Sequence, residues 1–529
     1  MTPGMKELPD FMGLFNELIR SPYLLISLLS LLIYVYFTRT FDFWSSRSVS
    51  CRKPTVFFGN YASVLLFRKS ISECIQEMYS WFPEERFFGV YKVRSPVLVL
   101  RDPELVKAVC SKDFFVFSNR GIPVNNSQDP LAGHLFNLEG KRWKGLRSKL
   151  TPAFSSGKIK RMFYLLAECS EEFQGLIRSS SGSVEVRDLA AKFTIDVIGS
   201  CAFGIQIGAL ANEDSEFRRM ARKLSSPGYK ATLWRTLRTA LPGLYKLLGV
   251  QVIDPEVTRF FKDVVSQMIH QRTNTEVKRH DFMDLLIELK NKGSLEGDAT
   301  NGAALNDEDA QAAKEIELDE NAMAAQAFVF FTAGYETSST TISFCLYELA
   351  LDAEVQDRTR QDILSALEKT EGKLTYDAVQ EMKYLDMVVL ETLRKYPPGP
   401  LLSRRCEQPY KIPGTKVELP TGMRVVIPIY GLHHDPDHYP EPERFVPERF
   451  SEENRRSRHP YTFLAFGEGP RSCIGMRFAL LQTKVGIISF LRGHRVEICD
   501  KSPIPMKFSS RSLVTTSEKG FWLSVIPLP

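Results

Sequence analysis

From Ser21 to Thr38 the chain reads SPYLLISLLSLLIYVYFT, eighteen residues without a charge. As a helix rising about 1.5 Å per residue, such a run spans about 27 Å, close to the thickness of a bilayer core. The N-terminal flank sets Lys6 and Arg20 against Glu7, Asp10 and Glu17, and is slightly acidic. The C-terminal flank sets Arg39, Arg47, Arg52 and Lys53 against Asp42, and is basic. Basic flanks stay on the cytoplasmic side, so the bulk of the chain is expected there. A cleaved signal peptide is the competing reading. The run is long, starts late and lacks a small-residue cleavage site, which favours an uncleaved anchor. Residues 1–20 are then a flank, 21–38 a transmembrane helix and 39–54 a linker.

Charge and cysteine usage narrow the rest. A net charge of +5 over 529 residues, with no long basic run, argues against a nucleic-acid partner. The nine cysteines, at 51, 74, 110, 169, 201, 345, 406, 473 and 499, are odd in number and contain no C-x-x-C. That pattern reads as reduced thiols facing a reducing compartment, most of them in the core. Length alone suggests several domains.

YKVRSPVLVLRDP (91–103) reads as strand material with a turn at Asp102-Pro103, and 258–290, 314–351 and 375–395 read as amphipathic helices. Residues 291–311 are polar and rich in Gly, Asn and Asp, as in a mobile surface loop. From 396 onward the texture is short strands and coil punctuated by Pro and Gly. The expected class is mainly α with small β-sheets. The arginine-, leucine- and tryptophan-bearing stretch 215–255 fits helices resting on a membrane surface and helices covering a core equally well.

Several short stretches carry chemistry. In AGYETSST (333–340), Gly334 weakens a buried helix by about 1 kcal/mol relative to Ala and could open a groove. Glu336 and Thr337 follow it, an acid and an alcohol where a buried helix normally has neither. They fit a proton-delivery site beside a ligand, or a kink with a solvated glutamate; Thr337 can bond the carbonyl four residues back. Glu391 and Arg394 share a face of an apolar helix, and a buried pair there wants a further partner such as Arg449 of PERF. Trp143 and Arg147 share a face of a basic helix with Lys141, Arg142, Lys144 and Lys149. An indole N–H beside a guanidinium suits a carboxylate or phosphate, although a solvated basic helix is the plainer reading. His433, His434, Asp435, Asp437 and His438 are metal-ligand types, but Pro436 breaks any regular spacing. In FGEGPRSCIG (466–475) one cysteine sits in a glycine-rich loop. The glycines would let backbone approach something flat and large, and Arg471, N–H groups or a metal would favour the thiolate. A metal ligand whose remaining positions come from a cofactor fits better than a nucleophile.

FLAFGEGPRSCIGMRFA (463–479) resembles the haem-binding loop of the cytochrome P450 monooxygenases, and AGYETS, ETLR, PERF and WKGLR fall in that family's order and spacing. FDFW, DFMDLLIELKNKG and the run through PERF look most like insect detoxification-type members. The resemblance implies a single, mainly α P450 fold over 55–529, which overrides the length argument. It implies Cys473 as proximal thiolate on the iron of haem b, held non-covalently because no C-x-x-C-H is present. It places Trp143, Arg147, Arg471 and Arg120 at the haem propionates and Phe466 against the cofactor. It makes Glu391, Arg394 and Arg449 a structural ion-pair cluster and Glu336 and Thr337 the acid–alcohol pair. It implies O2 as co-substrate and NADPH electrons through an NADPH–cytochrome P450 reductase docking on 141–149, with cytochrome b5 as a further donor. The implied location is the endoplasmic reticulum (microsomal) membrane, with the catalytic domain on the cytosolic side. Phe115, Phe117, Phe328, Phe331, Leu401, Leu402 and Leu513 are the expected lining for a lipophilic substrate. A thiolate-haem isomerase, a non-catalytic haem binder and a metal hydrolase on 433–438 are the competing functions.

Overall fold

The computed structural model describes residues 22–528 apart from 123, 125–127, 181, 213, 226–232, 235, 239–240, 250, 274–278, 280 and 293–317. Its longer helices are α1 (Pro22–Thr38), α2 (Gly140–Leu150), α3 (Ser156–Ser179), α4 (Val186–Ile198), α5 (Pro255–Thr273), α6 (Phe282–Lys292), α7 (Glu320–Leu351), α8 (Ala353–Glu368), α9 (Lys383–Lys395) and α10 (Met476–Leu491). The strands are β1 (Phe87–Lys92), β2 (Ser95–Leu100), β3 (Ser183–Glu185), β4 (Leu402–Arg405), β5 (Tyr410–Lys411), β6 (Glu418–Leu419), β7 (Arg424–Ile427), β8 (His494–Ile498) and β9 (Trp522–Pro527). They form sheets in the orders β1-β2-β7-β4, β3-β9-β8 and β5-β6, with β2 and β7 parallel and the other pairs antiparallel. The mainly α expectation holds.

Two aspartates set the length of the central helix. The Asp319 carboxylate accepts the Ala322 N–H at 2.6 Å and starts α7. Asp352 ends α7 and starts α8, accepting the Val355 N–H at 3.1 Å. Between these caps α7 runs 32 residues with apolar side chains on every face, which requires burial all round. It crosses α4 where Gly334 meets Ile198: a Cβ at 334 would lie 2.4 Å from the Ile198 Cδ1. Thr194 Oγ1 on α4 donates to the Tyr335 carbonyl at 3.1 Å, tying the two helices at the same level. Gly334 therefore serves close packing, and α7 is helical through this stretch.

Elsewhere the structure redraws the expected elements. Within 91–103 the turn falls at Val93-Arg94, with Val93 at φ +59°, so Lys92 pairs with Ser95 in a hairpin. Asp102 instead caps a short helix, accepting the Glu104 N–H at 2.8 Å with Pro103 in the first turn. The expected 258–290 helix is two, α5 and α6. The expected 375–395 helix breaks at Met382 (ψ 81°), and Asp362 of α8 accepts the Leu385 N–H at 3.0 Å to start α9. Of the expected loop, 291–292 belong to α6 and 293–311 lie outside the described residues. α10 lies where only strands and coil were expected. Its lysine at 484 is buried, with Nζ 2.8 Å from Asp386 Oδ1 and 3.2 Å from the Val379 carbonyl.

At the N-terminus, α1 covers 17 of the 18 uncharged residues and leaves its leucines exposed. Among the described residues no helix is long and apolar enough to cross a membrane. The expected linker 39–54 is docked. Trp44 is fully buried, and its Nε1–H donates to the Val90 carbonyl at 3.1 Å. Its ring occupies the space a Cβ at Gly89 would need.

Candidate active site

The cysteine loop leads directly into α10. Gly467 N–H donates to the Leu464 carbonyl at 2.9 Å, Ser472 N–H to Gly469 at 3.0 Å and Cys473 N–H to Phe466 at 2.8 Å. Gly469 takes φ +76°, and a Cβ there would lie 2.0 Å from the Cys110 carbonyl oxygen. The close approach at Gly469 is thus made to the protein's own backbone, not to a flat ligand. All nine cysteines are free and six are buried, whereas the Cys473 thiol is exposed. It opens on a cavity in the protein. Burial raises the Cys473 pKa, while the Gly475 N–H, Arg147 and Arg120 pull it down. Those groups and the N-terminus of α10 all favour negative charge on sulfur.

The cavity holds about 410 Å³. It brings together Cys473, Phe466, Trp143, Arg147, Arg471, Arg120 and Thr337. Thr337 Oγ1 donates to the Ala333 carbonyl at 2.6 Å, as its place in the helix predicts. Glu336 is absent from the wall. One residue along a helix turns by about 100°, and its carboxylate instead faces α4, where Arg187 Nη2 stands 3.6 Å away. Burial raises the Glu336 pKa against Arg187 and a Ser225 hydrogen bond.

Of the expected apolar lining only Leu401 and Leu402 reach the cavity. Phe115 and Leu513 are exposed at 68% and 54%, Phe117 sits in the core beside the first sheet, and Phe328 and Phe331 pack on α5 around Phe261. The aromatic wall is made by Phe154, Phe282 and Phe330, with ring centroids 4.3–5.7 Å apart. A legible signal for Phe330 was its spacing: 330, 334, 337 and 341 follow one face of α7.

Guanidiniums crowd one side of the site without acids to balance them. Arg147 Nη1 donates to the Ser472 carbonyl at 2.9 Å, and Arg120 to the Phe136 and Arg471 carbonyls at 2.8 and 3.3 Å. Arg471 donates to the Ser118 and Leu138 carbonyls at 2.9 and 2.8 Å, lies 3.8 Å over the Trp143 ring, and leaves its buried Nη1 without a partner. Arg404, which the sequence did not single out, is 1% exposed with an unpaired Nε. Among the described residues no carboxylate stands within ion-pair distance of any of the four. Burial, then their mutual repulsion, lowers Arg120 to about 9 and Arg471 to about 8. Guanidinium stays charged in proteins, so the lowering marks a place where an anion is strongly favoured. A thiol opening on an apolar cavity, with orphaned guanidiniums at its edge, fits haem: sulfur for the iron, arginines for two propionates.

The chain matches the family model of cytochrome P450 over residues 50–524. It is 41% identical over 501 residues to a Drosophila melanogaster protein named probable cytochrome P450 6a13, covering 94% of this chain and 97% of that one. It is 39% identical to cytochrome P450 6k1 of Blattella germanica and 37% identical to cytochrome P450 6B6 of Helicoverpa armigera, with 93–94% of each chain covered. The chain belongs to the cytochrome P450 family. It is an oxidoreductase, a monooxygenase that uses haem iron and O2, and its relatives here are insect P450s.

Away from the cavity, this P450 buries the Glu391–Arg394 pair completely. Arg394 Nε and Nη2 donate to the two Glu391 oxygens at 2.8 and 2.9 Å. Arg394 also donates to the His433 and Arg444 carbonyls, and Glu391 Oε1 accepts the Val446 N–H at 3.0 Å. Arg449 Nε lies 3.4 Å from Glu391 Oε1, an ion pair without hydrogen-bond alignment. The pair is fully bonded, as a buried one must be. The histidines of 433–438 form no metal site, and no metal-binding cluster occurs among the described residues. His433 bonds backbone at both ring nitrogens, His434 stacks on Tyr430, and Asp435 accepts Tyr79 Oη–H at 2.6 Å.

Proposed function

We propose that this P450 inserts one oxygen atom of O2 into a lipophilic small molecule bound against Phe154, Phe282 and Phe330, using NADPH electrons delivered by a flavoprotein reductase. The observation that carries the reading is the Cys473 thiol opening, with Thr337, on a largely apolar cavity edged by unbalanced guanidiniums. Bound haem would supply dioxygen activation, which thiolate ligation favours. Cys473 would supply the sulfur that holds its iron, drawn toward the thiolate by the Gly475 N–H and Arg147. Trp143, Arg147, Arg471 and Arg120 would hold its propionates, with Arg404 adding positive charge behind them, and Phe466 would line the site of its ring. Thr337 presents a hydroxyl to the cavity and passes protons there. Glu336, beside Arg187 and outside the cavity wall, serves as a proton reserve.

The same reading makes α1, with Ser21 before it, an anchor in the endoplasmic reticulum membrane, the catalytic domain facing the cytosol. Exposed Leu233, Leu244, Leu247 and Leu248 support a second contact with the bilayer. Resistance of the full chain to alkaline extraction from membranes tests this; release would refute it. Lys141, Arg142 and Lys144 stand exposed on α2, whose opposite face carries Trp143. They form the docking face for reductase, and cytochrome b5 is a second electron donor. Changing all three to Ala should weaken reductase-driven turnover, more at raised salt, and leave peroxide-driven turnover intact. Equal loss of both would make the patch structural. Clearance of foreign lipophilic compounds is the biological role we favour, from the likeness to insect P450s. Product formation that needs NADPH, reductase and O2 together tests the central reaction. Turnover of a peroxide without them would point to an isomerase.

A further inference from the structure

His433 closes a short helix, Ile429–His433, and has no exposed surface. Its Nδ1 lies 3.0 Å from the Arg394 carbonyl oxygen, and its Nε2 lies 2.9 Å from the Leu464 backbone nitrogen. A carbonyl only accepts and a backbone N–H only donates, so the ring carries its proton on Nδ1 and a lone pair on Nε2. The His433 carbonyl in turn accepts Arg394 Nη1 at 3.0 Å. Phe463 lies flat on the imidazole, 5.3 Å between centroids and 9° between planes. The ring therefore joins the buried Glu391–Arg394 pair to the first residues of the cysteine loop.

Two further bonds carry the contact to the thiol. The Leu464 carbonyl accepts the Gly467 N–H at 2.9 Å, so both backbone polar groups of Leu464 are fixed. The turn so formed presents the Phe466 carbonyl, which accepts the Cys473 N–H at 2.8 Å. We propose that His433 is a positioning residue for Cys473: its Nε2 acceptor pins Leu464, and with it the turn that sets the place of the thiol. The proposal rests on the reading of Cys473 as the residue that would hold the haem iron. Without the acceptor, the Leu464 N–H is buried and unpaired, and rotating that peptide to find another partner carries Phe466 and Cys473 with it.

The test compares His433→Gln with His433→Phe. Glutamine keeps an acceptor within reach of Leu464, and phenylalanine keeps the flat ring but no acceptor. Full-length protein in membranes is assayed for bound haem, for the ferrous carbon monoxide spectrum and for hydrogen exchange across 463–473. The phenylalanine variant should lose the red-shifted thiolate band roughly tenfold per bound haem and exchange faster at Leu464. The glutamine variant should stay near wild type in both. A phenylalanine variant matching wild type would overturn the proposal. Equal losses in the two variants, or haem missing from both, would overturn it as well, by assigning the effect to packing. A wild-type chain without the red-shifted band would instead defeat the reading of Cys473 itself.

Discussion

At the residue scale, this protein separates two neighbours that the sequence sets side by side. Thr337 lines the cavity and Glu336 pairs with Arg187 on the far side of the helix wall. A hydroxyl bonded to its own backbone at 2.6 Å can still accept and pass a proton. Thr337→Ala should therefore keep NADPH consumption while product per NADPH falls roughly tenfold and peroxide rises. Unchanged product per NADPH would remove the relay role. The single residues carrying chemistry were legible wherever type and setting disagreed: a thiol among glycines, a tryptophan in a basic helix, a carboxylate in an apolar one. Arg404 gave no such signal, because adjacent arginines among short strands and coil, as in SRRC, do not conflict with their setting. His433 gave a misleading one, because a histidine cluster looks the same whether it binds metal or backbone.

At the element scale, helix-to-helix distance decides the cavity's shape. Gly334→Ala gains about 1 kcal/mol of helix propensity but drives a methyl into Ile198, which costs about 1–3 kcal/mol. The clash should win, lowering the melting temperature. In an Ile198→Ala background the same change should become neutral or stabilising. A loss of equal size in both backgrounds would show that Ile198 is not what Gly334 accommodates. Caps explain where element boundaries were readable. Asp319 and Asp352 are local capping residues that bound α7, whereas α9 is started by Asp362 from another helix, which no local pattern reveals. α10 escaped notice because MRFALLQTKVGIISFL follows a glycine-rich loop and bears a lysine whose partner, Asp386, is ninety-eight residues earlier.

At the scale of the whole molecule, burial of neutral histidines should make the fold labile to acid. His134 and His434 are pushed down to about 3 by burial, and His433 is lowered too. Unfolded histidine ionises near 6.5. Below that value the unfolded chain binds protons that the native chain refuses, so stability present above about pH 6.5 is lost as pH falls toward about 3. By about pH 5.5 the loss is about 1.4 kcal/mol for each of His134 and His434. Urea midpoints between about pH 7.5 and 5.5 should show it, with a shallower slope in His434→Phe. A flat profile would mean that these rings are hydrated. The role of Cys473 is decided by the carbon monoxide difference spectrum of the reduced, full-length protein in membranes, recorded beside Cys473→Ala. Thiolate ligation through Cys473 requires a strongly red-shifted Soret band that the substitution abolishes. An ordinary haemoprotein band in the unsubstituted chain, or a red-shifted band that survives without the cysteine, would contradict it.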